Sequence, residues 1–166
     1  MRFGLAFILL FLSSLSAWGQ EKDLITWNSI QKADSLQLNG DSRFLLVDVF
    51  TDWCGPCKLM DKNTFHNEKV AQFINENFIP VKLNAESKLN ISFKGKEYKW
   101  VNYGRSGLQS LAYVILGGNL IYPSIAFVDN KGQTITIING YFQAEEFLKI
   151  IQDLKIKLEK YQVKEQ

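Results

Sequence analysis

Phe44-Leu45-Leu46-Val47-Asp48-Val49-Phe50 is a nearly unbroken apolar run with one carboxylate inside it. A run of that kind, rather than an alternating one, belongs to a central strand covered on both faces. Other segments carry the helical period. Asn28 or Ser29 is placed to cap a helix reaching Leu38, with Gln31 set for a capping box and Asn39-Gly40 as the stop. Helices are predicted over 54–62 and over 67–77, the second with Val70, Phe73 and Ile74 on one side. The stretch 144–160 places Phe147, Ile150, Ile151, Leu154 and Leu158 on one stripe and reads as an amphipathic helix.

Strands are predicted at Ile25-Thr26-Trp27, 78–83, 121–128 and 134–138. The last two are joined by Asp129-Asn130-Lys131-Gly132, a turn sequence suited to an antiparallel hairpin. The order is β-α-β-α-β followed by β-β-α, an α/β arrangement. Between these halves, the alternation from Ile91 to Val101 around Gly95 reads as a hairpin. Ser106 is placed to cap a helix with Leu108, Leu111, Ala112 and Ile115 on one stripe, ended by Gly117-Gly118.

With 166 residues, 46% hydrophobic and 22% charged, the chain has room for one globular domain with a proper core. No internal repeat, low-complexity tract or linker supports a second domain. The net charge of +2 gives no footprint for nucleic acid. The N-terminus carries Arg2, an apolar stretch over 3–12, and small residues at Ala17 and Gly19, the pattern of a signal peptide over 1–19 ahead of a domain over 20–166. Its apolar core is shorter than the roughly 20 residues of a membrane span, although an uncleaved anchor reaching Trp18 is the competing reading. Export to a bacterial periplasm or an equivalent space, with no membrane insertion after cleavage, is therefore expected.

The chain's two cysteines stand three apart in Trp53-Cys54-Gly55-Pro56-Cys57-Lys58, where the apolar run meets a helical pattern. Thiols at this spacing can close a small disulfide. A helix starting at Cys54 aims unpaired N–H groups and a positive dipole end at its sulfur, which favours the thiolate that attacks disulfides. Cys54 then reads as the nucleophile and Cys57 as the resolving thiol. Pro56 suits a first helical turn, where the N–H it lacks would have no partner. In an oxidising compartment, cysteines used only this way are not a structural framework.

The segment from Val47 to Lys58, together with Tyr122-Pro123-Ser124, resembles the thioredoxin superfamily. Trp27, Asn63-Thr64-Phe65 and the stretch from Val70 to Asn84 look like its exported branch, which includes the C-terminal domain of DsbD-type electron transporters. The resemblance implies a thioredoxin fold, a central mixed β-sheet flanked by helices, with a hairpin-plus-helix insertion over about 87–118 ahead of the proline strand. It implies catalytic roles for Cys54 and Cys57, for Pro123 as a cis-proline beside the disulfide, and for Asp48 as a buried acid. Burial would raise the pKa of Asp48 and let it shuttle a proton for Cys57; an exposed strand carboxylate is the alternative. Pro123 interrupts a strand-like run, so an edge, a strand start or a special peptide bond would each account for it. Trp53, Gly55, Pro56 and Tyr122 are the implied client contacts, and Lys82 matches a family lysine near the acid, against the ordinary reading of an exposed strand lysine. Phe50 stands where thioredoxins commonly have Trp.

No organic cofactor or metal is implied; the redox group is the Cys54–Cys57 disulfide. Implied partners are protein disulfides and a membrane electron transporter that recharges a reductant. Gly55-Pro56 resembles the reducing members. A peptide-binding or chaperone-like module working through the insertion is the runner-up, with Phe93, Tyr98, Trp100, Tyr103 and Tyr113 read mainly as packing. A metal module on Cys54 and Cys57 lacks the usual four ligands, with His66 the chain's one imidazole.

Overall fold

The computed structural model describes residues 23–103 and 106–164; the predicted signal peptide lies outside the described residues. In chain order the elements are α1 (Ile30–Leu38), β1 (Leu45–Phe50), α2 (Gly55–Met60) running into a π turn (Asp61–Phe65), α3 (Glu68–Asn77), β2 (Ile79–Asn84), β3 (Ile91–Phe93), β4 (Lys96–Tyr98), β5 (Trp100–Tyr103), β6 (Ser106–Gln109), α4 (Ser110–Ile115), β7 (Ser124–Val128), β8 (Thr134–Asn139) and α5 (Ala144–Lys164). Among the described residues, the central sheet runs β2-β1-β7-β8. β1 pairs parallel with β2 and antiparallel with β7, so it is hydrogen-bonded on both edges. That is the mixed sheet expected, and it accounts for the apolar run.

Successive residues of β1 point to opposite faces. Leu45, Val47 and Val49 pack with Ile30, Leu111 and Ile115 on the face covered by α1 and α4. Leu46 packs with Phe65, Phe78, Phe127 and Phe147 on the face covered by α3 and α5. Asp48 shares the parity of Leu46. In α5, Phe147, Ile151 and Leu158 are buried and Leu154 packs partly against them, while Ile150, predicted on the same stripe, is only half-buried and lies outside that cluster. No helix of the described residues is long and apolar enough to cross a membrane.

Several boundaries differ from expectation. Ile25-Thr26-Trp27 is not a strand; the pairing there is a single bridge from Asn28 to Val81. Pro80 in β2 has no N–H to extend a ladder on that edge. Ser29 is the cap of α1, its Oγ accepting from Lys32 N, so the position for a capping-box partner falls on Lys32 and not Gln31. β7 begins at Ser124 rather than 121, past the proline.

The largest departure is at Ser106, which opens a strand paired with β5 rather than a helix. Gly107 explains it: a Cβ there would stand 1.6 Å from the Trp100 ring, so the missing side chain is what lets the indole lie across the hairpin. The helix starts at Ser110, capped by Gln109, and ends as expected at Gly117 and Gly118, both with positive φ. The insertion is thus two hairpins, β3–β4 and β5–β6, leading into a short helix. Substituting Gly107→Ala is expected to displace the indole and cost roughly 1–3 kcal/mol, the range for overpacking. Urea unfolding followed by tryptophan fluorescence checks it, and a variant with unaltered emission and midpoint would contradict it.

Candidate active site

β1 ends and a helix begins within five residues. Phe50 O accepts from Ala85 N at 2.8 Å and Thr51 O accepts from Cys54 N at 3.1 Å, which turns the chain off the sheet edge. Cys54 is the N-cap of α2, with Pro56 in the first turn. Its Sγ accepts from Cys57 N at 3.1 Å, so a backbone donor of the helix start reaches the sulfur. Cys54 and Cys57 are joined as a disulfide with their Cα atoms 5.3 Å apart. Whole-residue exposure is 2% for Cys54 and 5% for Cys57. In this oxidised form Cys54 is shielded.

Trp53 is 67% exposed. Its indole N–H donates to Glu86 Oε1 at 3.0 Å, and its ring stands edge-on to Tyr122 at 6.0 Å between centroids. The Tyr122–Pro123 peptide bond is cis. Ser124 Oγ, 2.6 Å from Ile121 O and 2.6 Å from the Asn139 side chain, ties this segment to β8. Burial pushes the Tyr122 phenol above its usual pKa, with the Glu86 carboxylate adding to the effect. Gly55 and Pro56 are exposed beside the disulfide.

On the face of α2, Asp48 is 2% exposed. Its Oδ2 lies 3.1 Å from Lys82 Nζ, while Oδ1 is buried with no hydrogen-bond partner. Lys82 also pairs with Asp61, and its ammonium stands 5.0, 5.2 and 5.6 Å from the ring centroids of Trp27, Phe50 and Phe65. Burial raises the Asp48 pKa to about 6; Lys82 works against that shift and Asp61 works with it.

Sequence reasoning did not single out Asp61, Glu86 or Gln109. Asp61 lies four residues beyond Cys57, a spacing that hinted at a shared helix face. Glu86 and Gln109 come to the site through loop geometry that leaves no periodic trace. His66 lies at the end of the π turn with Nδ1 2.7 Å from Asp61 O, a helix-terminus placement.

A disulfide closed at a helix start on this mixed sheet, with a cis-proline bond after Tyr122, is the arrangement of a thioredoxin-like fold. By its match to the thioredoxin-like domain model over residues 31–155, the chain belongs to the thioredoxin-like family. It is 31% identical over 119 residues to a protein disulfide-isomerase of Drosophila melanogaster, covering 68% of this chain and 23% of that protein. It is 27% identical over 112 residues to the thiol:disulfide interchange protein DsbD of Pseudoalteromonas atlantica, covering 66% and 16%. The chain therefore spans about a quarter or less of the length of these relatives. A thioredoxin from Thermus thermophilus has the same fold, with a TM-score of 0.56 at 17% identity over 80% of this chain and 88% of that one.

The Asp48 shift has a consequence for stability. The carboxyl titrates at about 6 in the fold against an ordinary 3.8. Between those values the native state holds a proton that the unfolded chain has released. Stability therefore falls as pH rises through that window, and the full cost of roughly 3 kcal/mol applies above it. Asp48→Asn is expected to flatten this slope and to raise stability near neutral pH by roughly 1–3 kcal/mol. Urea midpoints on both sides of the window test this; a slope the variant leaves intact would assign the effect to another group.

Proposed function

We propose that this protein is an exported reductant of protein disulfides that works through the Cys54–Cys57 dithiol. The observation that carries the reading is the disulfide at the start of α2, one sulfur facing a helix N–H, with a buried carboxyl of raised pKa on the adjoining strand. In the reduced form the Cys54 thiolate attacks a client disulfide. The client S–S bond breaks, one client sulfur leaves as a thiolate, and Cys54 is held in a mixed disulfide. Cys57 then gives up its proton and attacks Cys54 Sγ, which releases the second client thiol. Two electrons pass to the client, and the Cys54–Cys57 disulfide forms.

Asp48 is the acceptor for the Cys57 proton in this scheme, with the unpartnered Oδ1 as its free site and a pKa near the operating range. Lys82 modulates that pKa. Because Cys54 is shielded, docking must first part the surface around it. The exposed Trp53 ring and the Tyr122–Pro123 backbone offer the place where an extended client segment would lie, with Gly55 and Pro56 keeping the approach to the sulfur low. Recharging the dithiol calls for a membrane electron transporter, a partner supported by the similarity to DsbD. The N-terminal apolar segment supports export.

The reduced protein is expected to reduce insulin with turnover when dithiothreitol recharges it. Cys54→Ser should fall to the uncatalysed rate, and Cys57→Ala should accumulate a covalent adduct with clients in extracts of the exported compartment. Undiminished insulin reduction by Cys54→Ser would remove Cys54 from the mechanism. Adducts made up of newly exported chains, rather than of disulfide isomerases or similar electron acceptors, would reverse the proposed direction.

A further inference from the structure

Gln109 is a 0% exposed amide at which three parts of the fold meet. Its Oε1 accepts from Leu111 N at 3.1 Å, capping α4. Its Nε2 donates to Leu89 O at 2.7 Å, and its backbone N–H donates to Ala85 O at 2.7 Å. Leu89 and Ala85 are the two ends of the loop that leaves β2. Between them sits Glu86, whose carboxylate takes the Trp53 indole N–H. Trp53 in turn stands edge-on to Tyr122, next to Pro123.

We infer that Gln109 is a positioning residue for client docking: by clamping both ends of the 85–89 loop it fixes Glu86, and through Glu86 it fixes the Trp53 indole on the rim of the disulfide. The insertion that carries Gln109 thereby sets which protein disulfides this face accepts. The inference rests on the oxidoreductase reading above. Its physical basis is an asymmetry of cost. A buried amide whose donor and acceptor are both used is rigid, because letting go strands the Leu89 carbonyl and the Leu111 N–H without partners. Trp53, at 67% exposure, has little packing to hold it and depends on its one polar contact for a fixed orientation. A preset indole spares a docking client the entropy of ordering it.

Gln109→Met keeps the length of the side chain and removes both of its hydrogen bonds. In nitrogen-15-labelled protein, the Trp53 indole N–H resonance, assigned with Trp53→Phe, is expected to move in Gln109→Met as it does in Glu86→Ala. The KM for insulin is expected to rise about fivefold in both, because a docking client must then order the indole itself. Their kcat, and the rate of Gln109→Met on hydroxyethyl disulfide, which is too small to need the rim, should stay within about twofold of wild type. If Gln109→Met does not fold, the reciprocal reading decides, since the Gln109 side-chain amide resonances must then move in Trp53→Phe. A stationary indole resonance in Gln109→Met, stationary amide resonances in Trp53→Phe, or equal losses on insulin and on the small disulfide would each overturn the inference. A wild-type protein that turns over neither disulfide would refute the oxidoreductase reading instead, while the two sets of resonances would still report on the clamp.

Discussion

The turn between Phe50 and Gly55 is the constraint on which the rest of the molecule depends. β1 is fixed in register by β2 on one side and β7 on the other, and a shift of one residue would carry Asp48 to the wrong face and Val47 or Val49 with it. The core therefore decides where the strand ends. From that end, the bonds from Ala85 N to Phe50 O and from Cys54 N to Thr51 O leave room for only one tight turn before α2. Cys54 becomes the cap because it is the residue that stands there. Its sulfur meets a helix N–H without any dedicated side chain to arrange it.

The electrostatics beneath the disulfide follow from an unequal division of one cation. Lys82 is the ammonium nearest Asp48, and if it served Asp48 alone it would hold that carboxyl ionised. It also serves Asp61, which raises the Asp48 pKa by its own charge. The rings of Trp27, Phe50 and Phe65 favour the ammonium where it is while excluding water from the same space. Desolvation wins the contest, and the carboxyl titrates at about 6, where it can both take and return a proton near neutrality.

What was legible in the sequence was what periodicity and fixed spacing encode. The run around Val47 gave a central strand, the stripe on α5 gave its buried face, and the spacing of Cys54 and Cys57 gave the disulfide and its helix start. The misreadings share a physical cause. Ser106 looked like a helix cap because caps are judged from their own side chain, whereas here Gly107 and Trp100, seven apart, settle the matter by lying across each other in a hairpin. The strand at Ile25-Thr26-Trp27 failed on a neighbour distant in sequence, Pro80. Glu86, Asp61 and Gln109 escaped notice because each acts through a partner brought near only by the fold.

The two faces of the sheet serve the same disulfide in different ways. Asp48, Lys82, Asp61 and the π turn lie on the side of α2, where burial, Lys82 and Asp61 together set the pKa of the Asp48 carboxyl. Gln109, α4 and the double hairpin lie on the side of α1, and Gln109 is tied to the loop after β2, which carries Glu86 to Trp53. β1 separates the two groups, with Asp48 facing one and Val47 and Val49 facing the other. With the strand between them, a change of length or sequence in the insertion leaves the Asp48 carboxyl and its Lys82 partner in place.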